Sequence, residues 1–366
     1  MPRVACVMMQ KDETVLLKPW LAYHGHLFGL ENLHVIDNGS SHPDVVETLC
    51  HYAAMGVHID YAHATRDDYL NKGDIVGAAI RALDAASRYD FFFPTDCDEF
   101  IIKQVDGGYS CDRETIHAYL DTLRDEPRTL RMRHQLDNHP LLPDCYVHAG
   151  SSKTFFAADC FGWTDHGHHC DGSRKADGSR FTQLLHAHFH HMPFARLLRT
   201  ARQRWIGTVD IDDREKLVGY QGASAHLARY LLMTPEEYYG QFDSKVLVHF
   251  PTLRHLLHRL GAPLEMPRHD DDPAAADRGE ANQTMLFAPV RFRESDYFAA
   301  NQDVAASGMG GMEHFLSFGF REARHLAPPP PETPSSEAAP PTPAAKPAGK
   351  RARKVPPRTR TSAPHA

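Results

Sequence analysis

The chain has 366 residues, 42% hydrophobic and 24% charged, with a formal net charge of −7. This suits a soluble globular body of one large or two ordinary domains, and no apolar run approaches the roughly 18 residues that a membrane helix needs. Residues 327–366 carry seven Lys/Arg against two Glu, leaving 33 against 45 in the other 326, so an acidic body precedes a basic end. An acidic body argues against nucleic acid as the main partner.

The seven cysteines, Cys6, Cys50, Cys97, Cys111, Cys145, Cys160 and Cys170, are odd in number, scattered and free of any C-x-x-C. They read as reduced thiols in a cytoplasmic protein. The opening MPRVACVMMQKDE has too brief an apolar run for a signal peptide and reads as a first buried strand.

In chain order, residues 3–9 predict a strand. Residues 14–29 predict a helix that starts late because of Pro19 and stops at Gly29. A second strand, 32–38, ends in the turn cluster DNGSSHPD. A helix over 44–56, with Asp44 as N-cap and Gly56 as stop, leads to a strand at 57–63. A helix over 72–89 and a strand over 90–96 complete the alternation. Such alternation predicts α/β architecture with a parallel sheet covered on both faces, whose ligands bind beyond the carboxyl ends of its strands. Asp37 and Asp96 stand at two such ends. Beyond 100, residues 145–157 and 182–190 predict strands, and 195–260 mostly helix.

Residues 266–290 read as a polar linker and 291–326 as a small helical module. Residues 327–366, with 12 prolines in 40 positions, read as a disordered Pro/Ala/basic tail. The tail's plain role is a solvated end; its sharper one is a weak tether to a membrane surface or an anionic polymer.

The stretch YDFFFPTDCDEF places Asp96, Asp98 and Glu99 at the mouth of a buried aromatic strand. Two carboxylates at i and i+2 beyond a strand can hold a hard divalent cation, and a cation would offset their mutual repulsion. A lone D-x-D is common on solvated turns, so its position after the fourth strand carries the weight.

Residues 8–44 followed by 89–101 resemble the glycosyltransferase family 2-like group. They are most similar to its bacterial branch, with blocks K-N-E, W-x-x-Y/H-H, D-N-x-S-x-D and D-x-D-E-F. The matching residues are Lys11, Glu13, Trp20, His24, Asp37, Asn38, Ser40, Asp44, Asp96, Asp98, Glu99 and Phe100. Asp12 stands where that group has Asn, and Ser41–Pro43 lengthen one turn. The resemblance is specific over residues 1–102 and looser to about 210.

The resemblance implies a GT-A-like, Rossmann-like mixed sheet flanked by helices over residues 1–265. It implies a metal-dependent, inverting hexosyltransferase that uses Mn²⁺ or Mg²⁺ and a nucleoside diphosphate-sugar, with UDP or GDP as nucleotide. The acceptor would be a glycan, a lipid-linked molecule or a small molecule. Lys11, Glu13, Asp37, Asn38, Asp96 and Lys153 would meet the donor, and Asp96 and Asp98 the metal. Turn formation is an equally good reading of Asp37.

In TQLLHAHFHHM, alternation puts His186, His188 and His190 on one strand face. GT-A enzymes often take a further metal ligand from a downstream histidine; His188 is the first choice, with His186 and His190 as alternates. Inverting transfer also needs a carboxylate base, for which Asp165 and then Asp159 are candidates. His168 and His169 are candidates for the acceptor side. One rival reading is a zinc hydrolase built on the 160–191 Cys/His block, although no standard zinc spacing occurs there. The other is a catalytically silent glycan-binding protein of the same fold.

Overall fold

The structure is a computed structural model. It describes residues 1–265 apart from 106–107, 133, 151–152, 166–169, 171, 206–209, 212, 221–226 and 243–246. Beyond 265 it describes 286–287, 290–291, 294–308, 314, 322 and 324–325. The expected linker and tail, and candidates His168 and His169, lie wholly or largely outside the described residues.

The first half alternates as expected: β1 (Val4–Gln10), α1 (Leu17–Phe28), β2 (Leu33–Asp37), α2 (Pro43–Ala54), β3 (His58–Asp60), α3 (Arg66–Leu70), α4 (Lys72–Ala85) and β4 (Phe91–Thr95). Pro19 falls in the first turn of α1, where its missing N–H costs nothing. The expected Asp44 cap is corrected. His42 is the N-cap residue of α2 without a side-chain cap bond, and Pro43 opens the helix. Asp12 holds the approach to the helix, its Oδ1 accepting the Ser41 and His42 amides at 2.7 Å each. Gly56, at φ +107, ends the segment as predicted.

These four strands are parallel in the order β3-β2-β1-β4, every residue of β1 and β4 being buried. The chain continues through β5 (Glu99–Val105), β6 (Gly108–Ser110), α5 (Arg113–Asp121), β7 (Thr129–Met132), β8 (Gln135–Asn138), β9 (Cys145–Ala149), β10 (Thr154–Ala157), β11 (Ser179–Thr182), β12 (Leu184–His188) and α6 (Phe194–Trp205). After α7 (Arg214–Val218), α8 (Ala228–Leu232) and α9 (Pro235–Gly240) come β13 (Leu247–His249) and α10 (Thr252–Arg259). β10 runs antiparallel to β4 and joins β7 and β11 to the first sheet, which becomes a seven-stranded mixed sheet. The second sheet has the order β13-β9-β8-β12-β5-β6. β13 interrupts a stretch read as mostly helix, because Leu247 and Val248 pair with Val147 and Tyr146 of β9.

The class is therefore α/β, with a mixed sheet flanked by helices, as the sequence predicts. Between the sheets, Trp20, Tyr23, Phe91, Phe93, Phe100, Leu136 and Phe155 belong to one buried core. A second apolar cluster joins Phe194, Leu197, Tyr230, Tyr238 and Phe242 to Tyr297 and Val304 of the C-terminal helices. Asn301 sits between those helices and donates to the Tyr297 and His325 carbonyls. No helix among the described residues is long and apolar enough to cross a membrane.

Candidate functional site

The chain leaves the first sheet at Thr95 and enters the second at Glu99, so Asp96, Cys97 and Asp98 form the crossing. The turn closes on itself. The Glu99 amide donates to the Asp96 carbonyl at 3.1 Å, and Glu99 Oε2 accepts the Asp96 amide at 2.8 Å. Lys153 Nζ lies 2.6 Å from Asp96 Oδ2 and 2.8 Å from Glu99 Oε1, and Lys72 pairs with Asp96 Oδ1. Lys153 and Glu99 are almost wholly buried. Burial works against every charge here. The two ammonium groups more than offset it at Asp96, whose carboxyl stays well below its usual range.

Two expectations change as a result. The Lys153 ammonium is taken up by Asp96 and Glu99 and is not presented to a phosphate. Asp96 has both oxygens on lysines and is not among the residues that converge as cation ligands.

Asp98 is different. β12 runs antiparallel to β5 with His188 opposite Glu99, and the Phe189 amide donates to the Asp98 carbonyl at 2.8 Å. That register brings His188 Nε2 to 3.4 Å from Asp98 Oδ2. Asp98, His188 and His190 each offer one ligand atom, all within 4.8 Å of one another. They form the one such group of three among the described residues. One carboxylate oxygen and two imidazole nitrogens suit a transition-metal cation, Zn²⁺ first and the harder Mn²⁺ after it, better than Mg²⁺, which keeps to oxygen and water. Burial would raise the Asp98 carboxyl, but the facing His188 outweighs it and holds Asp98 ionised; His188 is raised in return.

Behind His188, its Nδ1 lies 2.9 Å from Asp137 Oδ1. Gln135 donates to the same oxygen at 2.7 Å, and His191 Nε2 lies 3.9 Å from Asp137 Oδ2. His190 Nε2 lies 3.0 Å from the Tyr230 hydroxyl, which accepts from Arg229. Of the two alternates, His190 joins the cluster. His186 is buried, with Nδ1 4.0 Å from Glu99 Oε1.

The remaining candidates scatter. Asp37 is buried, and its Oδ1 accepts from Gln10 at 2.6 Å and from the Ser40 hydroxyl at 2.5 Å. Its Oδ2 accepts the Ser40 amide, so this carboxylate shapes the turn. Asn38 spends its amide hydrogens on the His63 and Thr65 carbonyls, at 2.7 and 2.8 Å. Glu13 accepts the Val15 and Leu16 amides just before α1. Lys11 is exposed.

Asp159 is corrected. Ala157 pairs with Phe91 at the amino end of β4, so Asp159 lies roughly a strand's length, ~15 Å, from the Asp98 end. It sits in a left-handed turn (φ +59), exposed and paired with Lys175. The chain then climbs back along α4. Phe161 meets Gly77, Trp163 Nε1 donates to Asp74, and the Asp165 carbonyl lies against Gly73, next to Lys72. Asp165 therefore returns to the edge that carries Asp96.

Among the described residues of the 160–191 zinc block, only His188 and His190 converge, while His166, His168 and His169 lie outside the described residues. Cys160 is in the core with Sγ toward the Glu126 carbonyl, and Cys170 lies near Arg131. Sequence reasoning missed Lys72, Gln135 and Asp137. The apolar–polar pattern of the β8 stretch gave no sign that it lies beside β12.

No protein-family model matches this chain, and no curated protein does. Solved structures similar to it include glucosyl-3-phosphoglycerate synthase from Mycobacterium tuberculosis in complex with phosphoglyceric acid. That likeness has 16% identity and a TM-score of 0.22, over 35% of this chain and 42% of that one. The same synthase in complex with Mn²⁺ and uridine-diphosphate-glucose matches at 13% identity and TM-score 0.28, over 56% and 76%. TarS 1–349 from S. aureus matches at 10% identity and TM-score 0.31, over 88% and 92%. The chain thus spans less than half the length of the first of these.

Proposed function

We propose that this chain is a metal-dependent glycosyltransferase of GT-A type, moving a sugar from a nucleoside diphosphate-sugar to a hydroxyl acceptor with inversion. The observation that carries the reading is the convergence of Asp98, His188 and His190 just beyond the carboxyl end of β4. In open α/β sheets that edge is where ligands bind.

Asp98, His188 and His190 would hold the cation, and Mn²⁺ fits their donor set. When bound, the cation supplies Lewis-acid stabilisation of the departing diphosphate. Asp96 keeps Lys72 and Lys153 fixed beside the site, and so limits the negative charge facing a diphosphate. Asp165 remains the proposed base, because its segment returns along α4 to Gly73 and Lys72. The acceptor would be a glycan, a lipid-linked molecule or a small molecule in the cytoplasm.

The test is a transfer and hydrolysis assay with UDP-, GDP-, CDP- and dTDP-sugars, in Mn²⁺, Mg²⁺, Zn²⁺ or EDTA. It is paired with thermal melts in each nucleotide for wild type and Asp98→Asn. One nucleotide that stabilises wild type only with metal, together with donor turnover, supports the reading. Metal-dependent nucleotide binding without turnover would move the assignment to a silent binding protein. No nucleotide effect, with zinc retained through purification, would move it to a zinc hydrolase.

A further inference from the structure

Asp137 stands where a ligand-orienting carboxylate would. His188 Nδ1 is 2.9 Å from Asp137 Oδ1 and its Nε2 is 3.4 Å from Asp98 Oδ2, so the imidazole spans two carboxylates from different strands. Gln135 Nε2 also lies 2.8 Å from Nδ1, but it donates to Asp137 Oδ1, and a carboxylate only accepts, so a hydrogen on Nδ1 is the arrangement that gives Asp137 a partner from His188. With Nδ1 held on Asp137, Nε2 is the nitrogen that faces Asp98, and it would give its lone pair to a cation in place of a proton.

Asp137 is itself held. It is on β8, which pairs in parallel with β12, with His188 opposite Asp137 in the register. Gln135 donates to Asp137 Oδ1 at 2.7 Å from the same face of β8. The next residue, Asn138, exchanges two hydrogen bonds with the His191 backbone at 2.7 and 2.8 Å, which locks β8 to the strand end that carries His190. The side chain of Asp137 is about one-sixth exposed, so water competes little for Oδ1.

We propose that Asp137 is a positioning residue. It fixes the tautomer and aim of His188 toward a divalent cation, with Gln135 fixing Asp137 in turn. The inference rests on the reading of Asp98, His188 and His190 as cation ligands. A histidine ligand whose second nitrogen is hydrogen-bonded to a carboxylate is more basic and loses less freedom on binding. Removing such a partner typically weakens metal affinity about 10–100-fold.

The experiment measures binding of Mn²⁺ alone by calorimetry and the visible spectrum of the Co²⁺-loaded protein. The proteins are wild type, Asp98→Asn, Asp137→Ala, Asp137→Asn and His191→Gln, each with a melting curve taken without metal. Asp98→Asn should abolish binding. Asp137→Ala should weaken Mn²⁺ about 10–100-fold and alter the Co²⁺ spectrum. Asp137→Asn, whose carbonyl can still accept from Nδ1, should recover part of the loss. His191→Gln, which touches Asp137 but not His188 Nδ1, should stay within about threefold of wild type. Asp137→Ala binding as tightly as wild type, with an unchanged spectrum, would overturn the role of Asp137 and leave the ligand cluster standing. Wild-type binding that ignores Asp98→Asn, or no binding, would overturn the cluster and this inference with it. If Asp137→Ala fails to fold, Asp137→Asn decides, since unaltered affinity and spectrum there would exclude the charge-assisted orientation.

Discussion

His188 and Asp98 face each other at 3.4 Å although 90 residues separate them, because β12 lies antiparallel on β5 with His188 opposite Glu99. The contact is a consequence of register. A slip of one residue would turn the His188 side chain to the opposite face of the sheet. The site is thus a joint product of the turn after β4 and the pairing of the second sheet.

Lys153 balances two buried carboxylates, so its loss should be costly. Lys153→Met leaves Glu99 without its cation and should destabilise the fold by about 3–5 kcal/mol in urea unfolding. The double variant Lys153→Met/Glu99→Gln should lose less than the sum of the two single variants. Strict additivity would show that the pair is not energetically linked.

Gly73 and Gly77 lie on one face of α4 but should respond differently to a methyl group. A Cβ on Gly73 would come within 2.1 Å of the Asp165 backbone oxygen, whereas one on Gly77 would first meet Phe161 at 3.3 Å. Gly73→Ala should therefore cost about 1–3 kcal/mol despite the better helix propensity of alanine. Gly77→Ala should fall within about 1 kcal/mol of wild type. Equal stabilities in chemical denaturation would remove the 160–165 segment from α4.

His24 is fully buried, and burial pushes its imidazole down to about 3. In the unfolded chain it titrates near its ordinary value of ~6.5. The unfolded state therefore takes up the proton first as pH falls. The stability contributed by neutral His24 is full above ~6.5 and is lost progressively down to about 3. The stability gap between wild type and His24→Gln should narrow by roughly 2–3 kcal/mol between pH 7.5 and 4.5. A gap that does not change with pH would contradict the neutral, buried assignment.

Asp159 was a candidate base, and its position now predicts the opposite. Asp159→Ala should leave donor turnover within about twofold of wild type, since the residue sits beyond the amino end of β4. Asp165→Ala, assayed alongside, should lower kcat by about 10²–10⁴-fold if it is the base. The reverse ranking would exchange the two roles.

What the sequence determined by itself is local. Alternating short apolar runs and helical periodicity announced β1 to β4 and their helices, and PTDCDEF announced a carboxylate pair at a strand exit. Burial and turn chemistry repeat along the chain and can be read there. What the tertiary structure decided is which strands lie side by side and in which direction. The antiparallel run of β10 sent Asp159 to the far end of β4 and brought Lys153 up to Asp96 and Glu99. The parallel pairing of β8 with β12 placed Asp137 behind His188, in a stretch where QLDN carries no signal of its own. Several residues of the recognised blocks, Trp20, His24, Asn38 and Glu99 among them, prove to be buried parts of the frame. A pattern marks which residue types recur. Only strand order and register decide which of them share an edge, and those depend on contacts between segments far apart in the chain.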